Sequence, residues 1–179
     1  MSQEPVSDEF VKSLLAKNKQ STKGFEWKAL PNTVGHRFTF ETALDCDEVT
    51  LEGVLFRSIY QKLPPRTKGI ATIQFEEIQK VMIQVHSHRI WAIDDDSKGH
   101  KNPPTKPGAT PRLFDGKQLT SRAHMHIWQN GEESYAEPVA APPNNLEGLF
   151  QLTTACVKIK FQEPFVHPLK GVQEQLFNE

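Results

Sequence analysis

Apolar residues recur along this chain with two periods. Near the N-terminus Ser7 precedes Asp8 and Glu9 and then Phe10, Val11, Leu14 and Leu15. That is an N-cap, an acidic first turn and an apolar face at helical spacing, running out at Lys17 and Lys19, and it predicts a short helix. Beyond it the period drops to two. Arg37 to Leu44 alternates around Phe38 and Phe40, and Glu48 to Tyr60 reads as a strand around Val49, Leu51, Val54, Leu55 and Phe56. Asp45-Cys46-Asp47 is expected to turn between them, with a bulge at Gly53. Gln61 to Lys68, with Pro64-Pro65, interrupts the pattern. Strands resume at Ile70 to Phe75 and at Val81 to Val85, the latter extended by His86-Ser87-His88, and Arg89 to Ile93 is apolar enough for a strand ending on Asp94-Asp95-Asp96. Whether 81–93 is one strand or two stays open.

From Asp94 to Thr120 the chain holds four prolines, three glycines and little apolar content. Loops of that length inside compact domains are usually functional or disordered. This one leads into Arg122-Ala123-His124-Met125-His126-Ile127-Trp128, read as a strand, and Asn130-Gly131 predicts a type I′ turn returning the chain through Ser134 to Val139. Asn145 is expected to cap a helix from Leu146 through Cys156, Val157 to Phe161 to form a strand, and Gly171 to Phe177 a short helix. The sum is a single α+β domain over residues 1–179. It has a mainly antiparallel, meandering β-sheet, an N-terminal helix, one or two C-terminal helices and a long basic Pro/Gly-rich loop at 95–120.

Composition narrows the partners. The formal net charge of -1 carries no overall footprint for nucleic acid or a membrane surface. Its distribution is less even: Lys98, Lys101, Lys106, Arg112, Lys117 and Arg122 face one acid, Asp115, between residues 97 and 122. Cys46, in a polar turn, and Cys156 form no C-x-x-C pair, which favours a reducing cytoplasm. The polar N-terminus has no apolar signal core and no segment approaches the roughly 18 to 20 apolar residues of a membrane span, so neither export nor insertion is expected.

The chemistry concentrates around His-x-His. In a strand His124 and His126 share a face while Ala123, Met125 and Ile127 point to the opposite, core-side face. Two imidazoles on a rigid element suit a proton relay, a phosphate or a metal, and an ordinary solvated face has the same pattern. Cleavage of RNA through the neighbouring 2′-hydroxyl needs a proton acceptor, a proton donor and cations on the phosphate. His100, His124 and His126, with Asp94 at the strand end, are the catalytic candidates; Lys98, Lys101, Arg112 and Arg122 are the phosphate-binding ones. No cofactor is required. The alternative is one divalent metal at His124, His126 and His100, although no zinc motif with recognised spacing occurs.

Four pieces in order carry a resemblance: Ile90 to Asp94, His100-Lys101-Asn102-Pro103, His124-Met125-His126-Ile127-Trp128 and Ala136-Glu137-Pro138-Val139. They resemble an uncharacterised bacterial domain family with a His-x-Asn-Pro then His-x-His-x-aromatic pattern, and more distantly TumE-type toxins of toxin–antitoxin pairs. Here Lys98-Gly99 stands where members usually carry two prolines. The likeness to those toxins implies a small ribonuclease-like fold; with the histidine pattern, the expectation is a cytoplasmic bacterial protein of toxin or defence type that binds RNA and cleaves it without metal, a metal-dependent hydrolase being a further alternative. The rival is a non-enzymatic interaction domain, such as an antitoxin or a phage-borne inhibitor, whose partner is a protein such as a cognate antitoxin.

Overall fold

Ser7 starts the first helix, α1 (Asp8–Ala16), its hydroxyl accepting from the Phe10 amide at 3.1 Å. The computed structural model describes residues 6–31, 36–64, 66–68, 71–73, 76–96 and 98–170. Helix α1 buries Val11 and Leu14, and its far end is closed by a side chain from beyond the helix. The Lys19 ammonium donates to the carbonyls of Leu14 and Lys17, both at 2.7 Å, satisfying acceptors that a helix end leaves without partners.

Lys19 itself begins β1 (Lys19–Ser21), followed by β2 (Lys28–Ala29), β3 (His36–Cys46) and β4 (Val49–Leu63). The hairpin between β3 and β4 turns one residue later than expected. Asp47 and Glu48 take positive φ, 53° and 65°, as a two-residue primed turn requires. Cys46 is therefore the buried last residue of β3, paired with Val49, and not a turn residue. The bulge is where Gly53 predicts it: Ala43 pairs with Leu55 but Asp45 with Thr50, and Gly53 has φ 71°.

A ribbon of β5 (Arg66–Lys68) and β6 (Ala71–Ile73) stands apart from the main sheet. The rest of the strand expected over Ile70 to Phe75 lies outside the described residues. Residues 81–93 divide between two strands, β7 (Glu76–Val85) and β8 (His88–Asp95). His86 does not extend β7; it has φ 54° in the turn, and its amide donates to the Gly53 carbonyl at 2.6 Å. The long loop contains a second small ribbon, β9 (His100–Lys101) with β10 (Gln118–Leu119). Then come β11 (Ala123–Ile127), β12 (Ala136–Pro138), α2 (Leu146–Val157) and β13 (Ile159–Lys160). Asn130 and Gly131 both have positive φ, as the type I′ turn demands, and Asn145 caps α2 by accepting from the Gly148 amide at 2.8 Å. The helix expected over Gly171 to Phe177 lies outside the described residues.

The main sheet runs β12-β11-β8-β7-β4-β3-β1-β13, with β2 also on β3. Its pairs are antiparallel except β1 with β13, so the α+β architecture with a mainly antiparallel sheet is the one observed. One face carries Phe40, Phe56, Tyr60, Ile83, Trp91 and Ile93, and joins α1 and α2 in one apolar cluster. Phe25, Phe150, Phe161 and Phe165 complete its aromatic part, with ring centroids 5.0 to 5.5 Å apart.

Lys19 gives this end of the fold a pH dependence. Burial holds its ammonium down to about 8; Cys46 works against that shift and Lys158 adds to it. The unfolded chain therefore binds this proton more tightly than the folded one, and stability rises with pH from about 8 to 10.5. Denaturant midpoints measured across that window are expected to climb more steeply for the native sequence than for Lys19→Met, and identical slopes would refute the assignment.

Candidate functional site

The site is built by register. Lys80 of β7 lies opposite Asp94 of β8, and Asp94 lies opposite His124 of β11, so the three side chains form a row across one face of the sheet. His126, two residues on, shares that face. Asp94 is 4% exposed. Lys80 Nζ lies 2.8 Å from Asp94 Oδ2 and 3.0 Å from Asp96 Oδ2, Arg89 Nη1 lies 3.4 Å from Asp94 Oδ2, and His126 Nε2 lies 3.6 Å from it. Burial alone would raise the Asp94 carboxyl, but the neighbouring His126 ring and the Lys80 ammonium hold it well below the usual carboxylate range. Burial likewise works against the Lys80 ammonium, and Asp94 and Asp96 lift it above its ordinary value.

Arg89 reaches this row through an irregularity. Ile83 pairs with Trp91 but Gln84 pairs with Arg89, so β8 carries one extra residue, Ile90. The extra residue reverses the alternation and moves Arg89 to the Asp94 side. Its Nη2 lies 3.2 Å from His126 Nδ1. A guanidinium only donates, so Nδ1 accepts and a neutral His126 carries its proton on Nε2, toward Asp94.

His100 comes from the loop and completes the cluster. Its ring centroid lies 5.4 Å from that of His124 and 4.7 Å from that of His126, which are 5.1 Å apart. One nitrogen from each of the three rings lies within 4.8 Å of the others. His100 Nε2 sits 2.7 Å from the Ser134 carbonyl; it must donate there, which leaves the Nδ1 lone pair free. Gly99 makes the approach possible: at φ 64° a Cβ would come within 2.6 Å of the Leu119 carbonyl oxygen.

Both faces of β11 are covered: Ala123 is buried on the core side as expected, and the histidine face is buried as well. His124 and His126 are each 2% exposed, whereas Met125 and Ile127 on the other face are half-buried. The cause is the loop, which folds back over the histidine face and is pinned there by Asn102. This side chain is 1% exposed; its amide donates to the Phe114 and Ala136 carbonyls at 3.0 and 2.8 Å, and its oxygen accepts from the Ala136 amide at 2.7 Å. Burial lowers both His124 and His126 below the ordinary imidazole value; for His124 the neighbouring His126 adds to this, and for His126 Asp94 opposes it. Three buried polar atoms here, His124 Nδ1, His126 Nε2 and Asp94 Oδ1, have no hydrogen-bond partner.

No protein-family model, curated protein or solved structure matches this chain.

The four catalytic candidates, Asp94, His100, His124 and His126, meet in one place. The phosphate-binding candidates separate. Lys98 and Lys101 are exposed on either side of His100, with no ion pair among the described residues. Arg112 is spent inside the loop, 2.8 Å from Asp115 and with its guanidinium 4.0 Å from the Tyr135 ring centroid. Arg122 donates to Asp95 at 2.6 Å and to the Glu77 carbonyl, and Asp95 projects to the opposite face from Asp94. Sequence reasoning missed Arg89, Lys80 and Asn102. The Asn in His-Lys-Asn-Pro was a visible signal; the Ile90 bulge was not.

Asn102→Ala is expected to release the loop, because it strips partners from the Ala136 amide and two carbonyls. The loss should be at least about 2 kcal/mol in denaturant unfolding, from the cost of leaving buried groups unpaired. Amide exchange at Ala136 should quicken with it. Unchanged exchange there would show that the loop is held by something else.

Proposed function

We propose that this chain is a cytoplasmic protein of toxin or defence type that cleaves RNA at the histidine cluster. The observation that carries the reading is the convergence of His100, from the loop, on His124 and His126 beside the buried Asp94. The more distant resemblance to TumE-type toxins, carried by the order Asp94, His100 and His124-Met125-His126, suggests the substrate class. Exposed Lys98 and Lys101 beside His100 supply charge at the rim, where a phosphodiester backbone would arrive. Among the described residues no helix is long and apolar enough to cross a membrane. The rival interaction domain needs a contiguous apolar patch. Among the described residues the large exposed apolar side chains are Phe10, Leu30, Val49, Leu113 and Val166.

The chemistry is a transesterification. His100 Nδ1, freed as an acceptor by the Ser134 contact, takes the 2′-hydroxyl proton. The 2′-oxygen bonds to phosphorus as the bond to the 5′-oxygen breaks, and the departing oxygen takes its proton from the imidazolium form of His124, the form that burial makes scarcer and lower pH replenishes. The products are a 2′,3′-cyclic phosphate and a free 5′-hydroxyl. His126, held between Arg89 and Asp94, orients the cluster, and Arg89 adds positive charge beside the phosphate.

Purified protein is expected to cleave single-stranded RNA to cyclic-phosphate ends, and induced expression to arrest bacterial growth. His100→Ala should slow cleavage by roughly 100-fold or more, the usual contribution of a positioned acid or base. If His124→Ala and His126→Ala left both cleavage and growth arrest untouched, the reading would be wrong.

A further inference from the structure

The same cluster has the donor arrangement of a metal centre, and this follows from its geometry whether or not RNA is the substrate. The three ring nitrogens lie within 4.8 Å of one another. Tetrahedral zinc, with metal–nitrogen bonds of about 2.0 to 2.1 Å, needs neighbouring donors about 3.3 Å apart. The separations therefore shorten by up to about 1.5 Å, which each ring achieves by moving roughly 0.9 Å toward the centre. His100 sits on a two-residue strand of a loop and can make the larger share of the movement, with small rotations of the His124 and His126 rings on β11 supplying the rest.

Each ring has a lone pair to offer. His100 is anchored through Nε2 on the Ser134 carbonyl at 2.7 Å, leaving Nδ1. His124, 2% exposed, buries Nδ1 with no partner. His126 turns Nε2 toward Asp94 at 3.6 Å, leaving Nδ1, which Arg89 Nη2 contacts at 3.2 Å. A backbone carbonyl behind one ring and a carboxylate behind another are the outer partners that metal-bound histidines ordinarily have. Lys80 and Arg89 are matched by Asp94 and Asp96, so the fixed charges beside the rings cancel and place no net positive charge against an entering ion. Nitrogen donors select a borderline transition ion over magnesium or calcium.

We propose that His100, His124 and His126 bind one divalent transition-metal ion of the zinc class through one imidazole nitrogen each, with Arg89 leaving His126 Nδ1 as the ion enters. Three nitrogens leave a fourth position open to water or to an anion. Ligation also withdraws the lone pair that cofactor-free cleavage needs on His100, so the ion is expected to inhibit that reaction.

The full chain, freed of metal with chelator, is titrated with cobalt(II) followed by visible absorption and with zinc followed by calorimetry. One ion per chain is expected, with the intense absorption of a tetrahedral cobalt site. His124→Ala should abolish that signal, and His100→Ala, at the rim where folding is least at risk, should do the same. Arg89→Ala should tighten binding several-fold by removing the competing cation, an effect that adventitious surface binding would not show. Absence of a one-to-one complex, or a complex indifferent to His100→Ala, overturns the inference. RNA cleavage in chelator without cobalt binding would leave the proposed function standing and this inference refuted. Cobalt binding at the triad in a protein that never cleaves RNA would do the reverse. Cleavage that requires the ion would keep the site and overturn its inhibitory role.

Discussion

A single buried carboxylate constrains this half of the molecule. An ionised carboxylate removed from water is tolerated only where opposite charge and hydrogen bonds replace its hydration. Asp94 obtains these from Lys80 on the neighbouring strand and from Arg89 and His126. The requirement fixes register across β7, β8 and β11, because a slip of one residue would turn Asp94, His124 and His126 toward the apolar face. It also accounts for the Ile90 bulge: without that extra residue Arg89 would point away from the carboxylate. Stability and site geometry are thus the same interaction seen from two sides.

The loop that follows Asp94 converts a sheet face into an enclosed site. Alternation of burial disappears along Ile90 to Asp95, all buried, since helices cover one face and the loop the other. Asn102 fastens the loop to β12 through donor and acceptor at once, and the Ser134 carbonyl sets the tautomer of His100. Two rings of the cluster therefore stand on the sheet and one arrives from the loop. Such a division combines a fixed pair with a third group able to adjust, which suits either proton transfer or ligation of an ion.

Much of the fold was legible because it is local. Ser7 and Asn145 cap the helices they were expected to cap, and Asn130-Gly131 turns with positive φ at both residues. The errors are local as well. The β3–β4 turn falls on Asp47-Glu48, residues that tolerate the left-handed region only moderately, so composition pointed one residue early. His86 looked like strand because its neighbours are apolar, yet the hairpin needs a turn there and supplies a hydrogen bond to Gly53 in return. At the site, His124 and His126 on one face follow from period two. That this face is the buried one does not follow, since burial depends on what covers it.

The sequence by itself determined the elements, their alternation and the identity of the groups that gather: three histidines and an aspartate in two motifs separated by a basic loop. Those properties depend on dihedral preference, spacing and side-chain chemistry, which neighbouring residues settle. Only the tertiary structure decided that the loop folds back, that Arg112 and Arg122 are engaged by Asp115 and Asp95, and that Arg89 enters the cluster. Each of these turns on pairing between residues far apart in the chain, where a one-residue bulge or one buried amide changes which side chains meet.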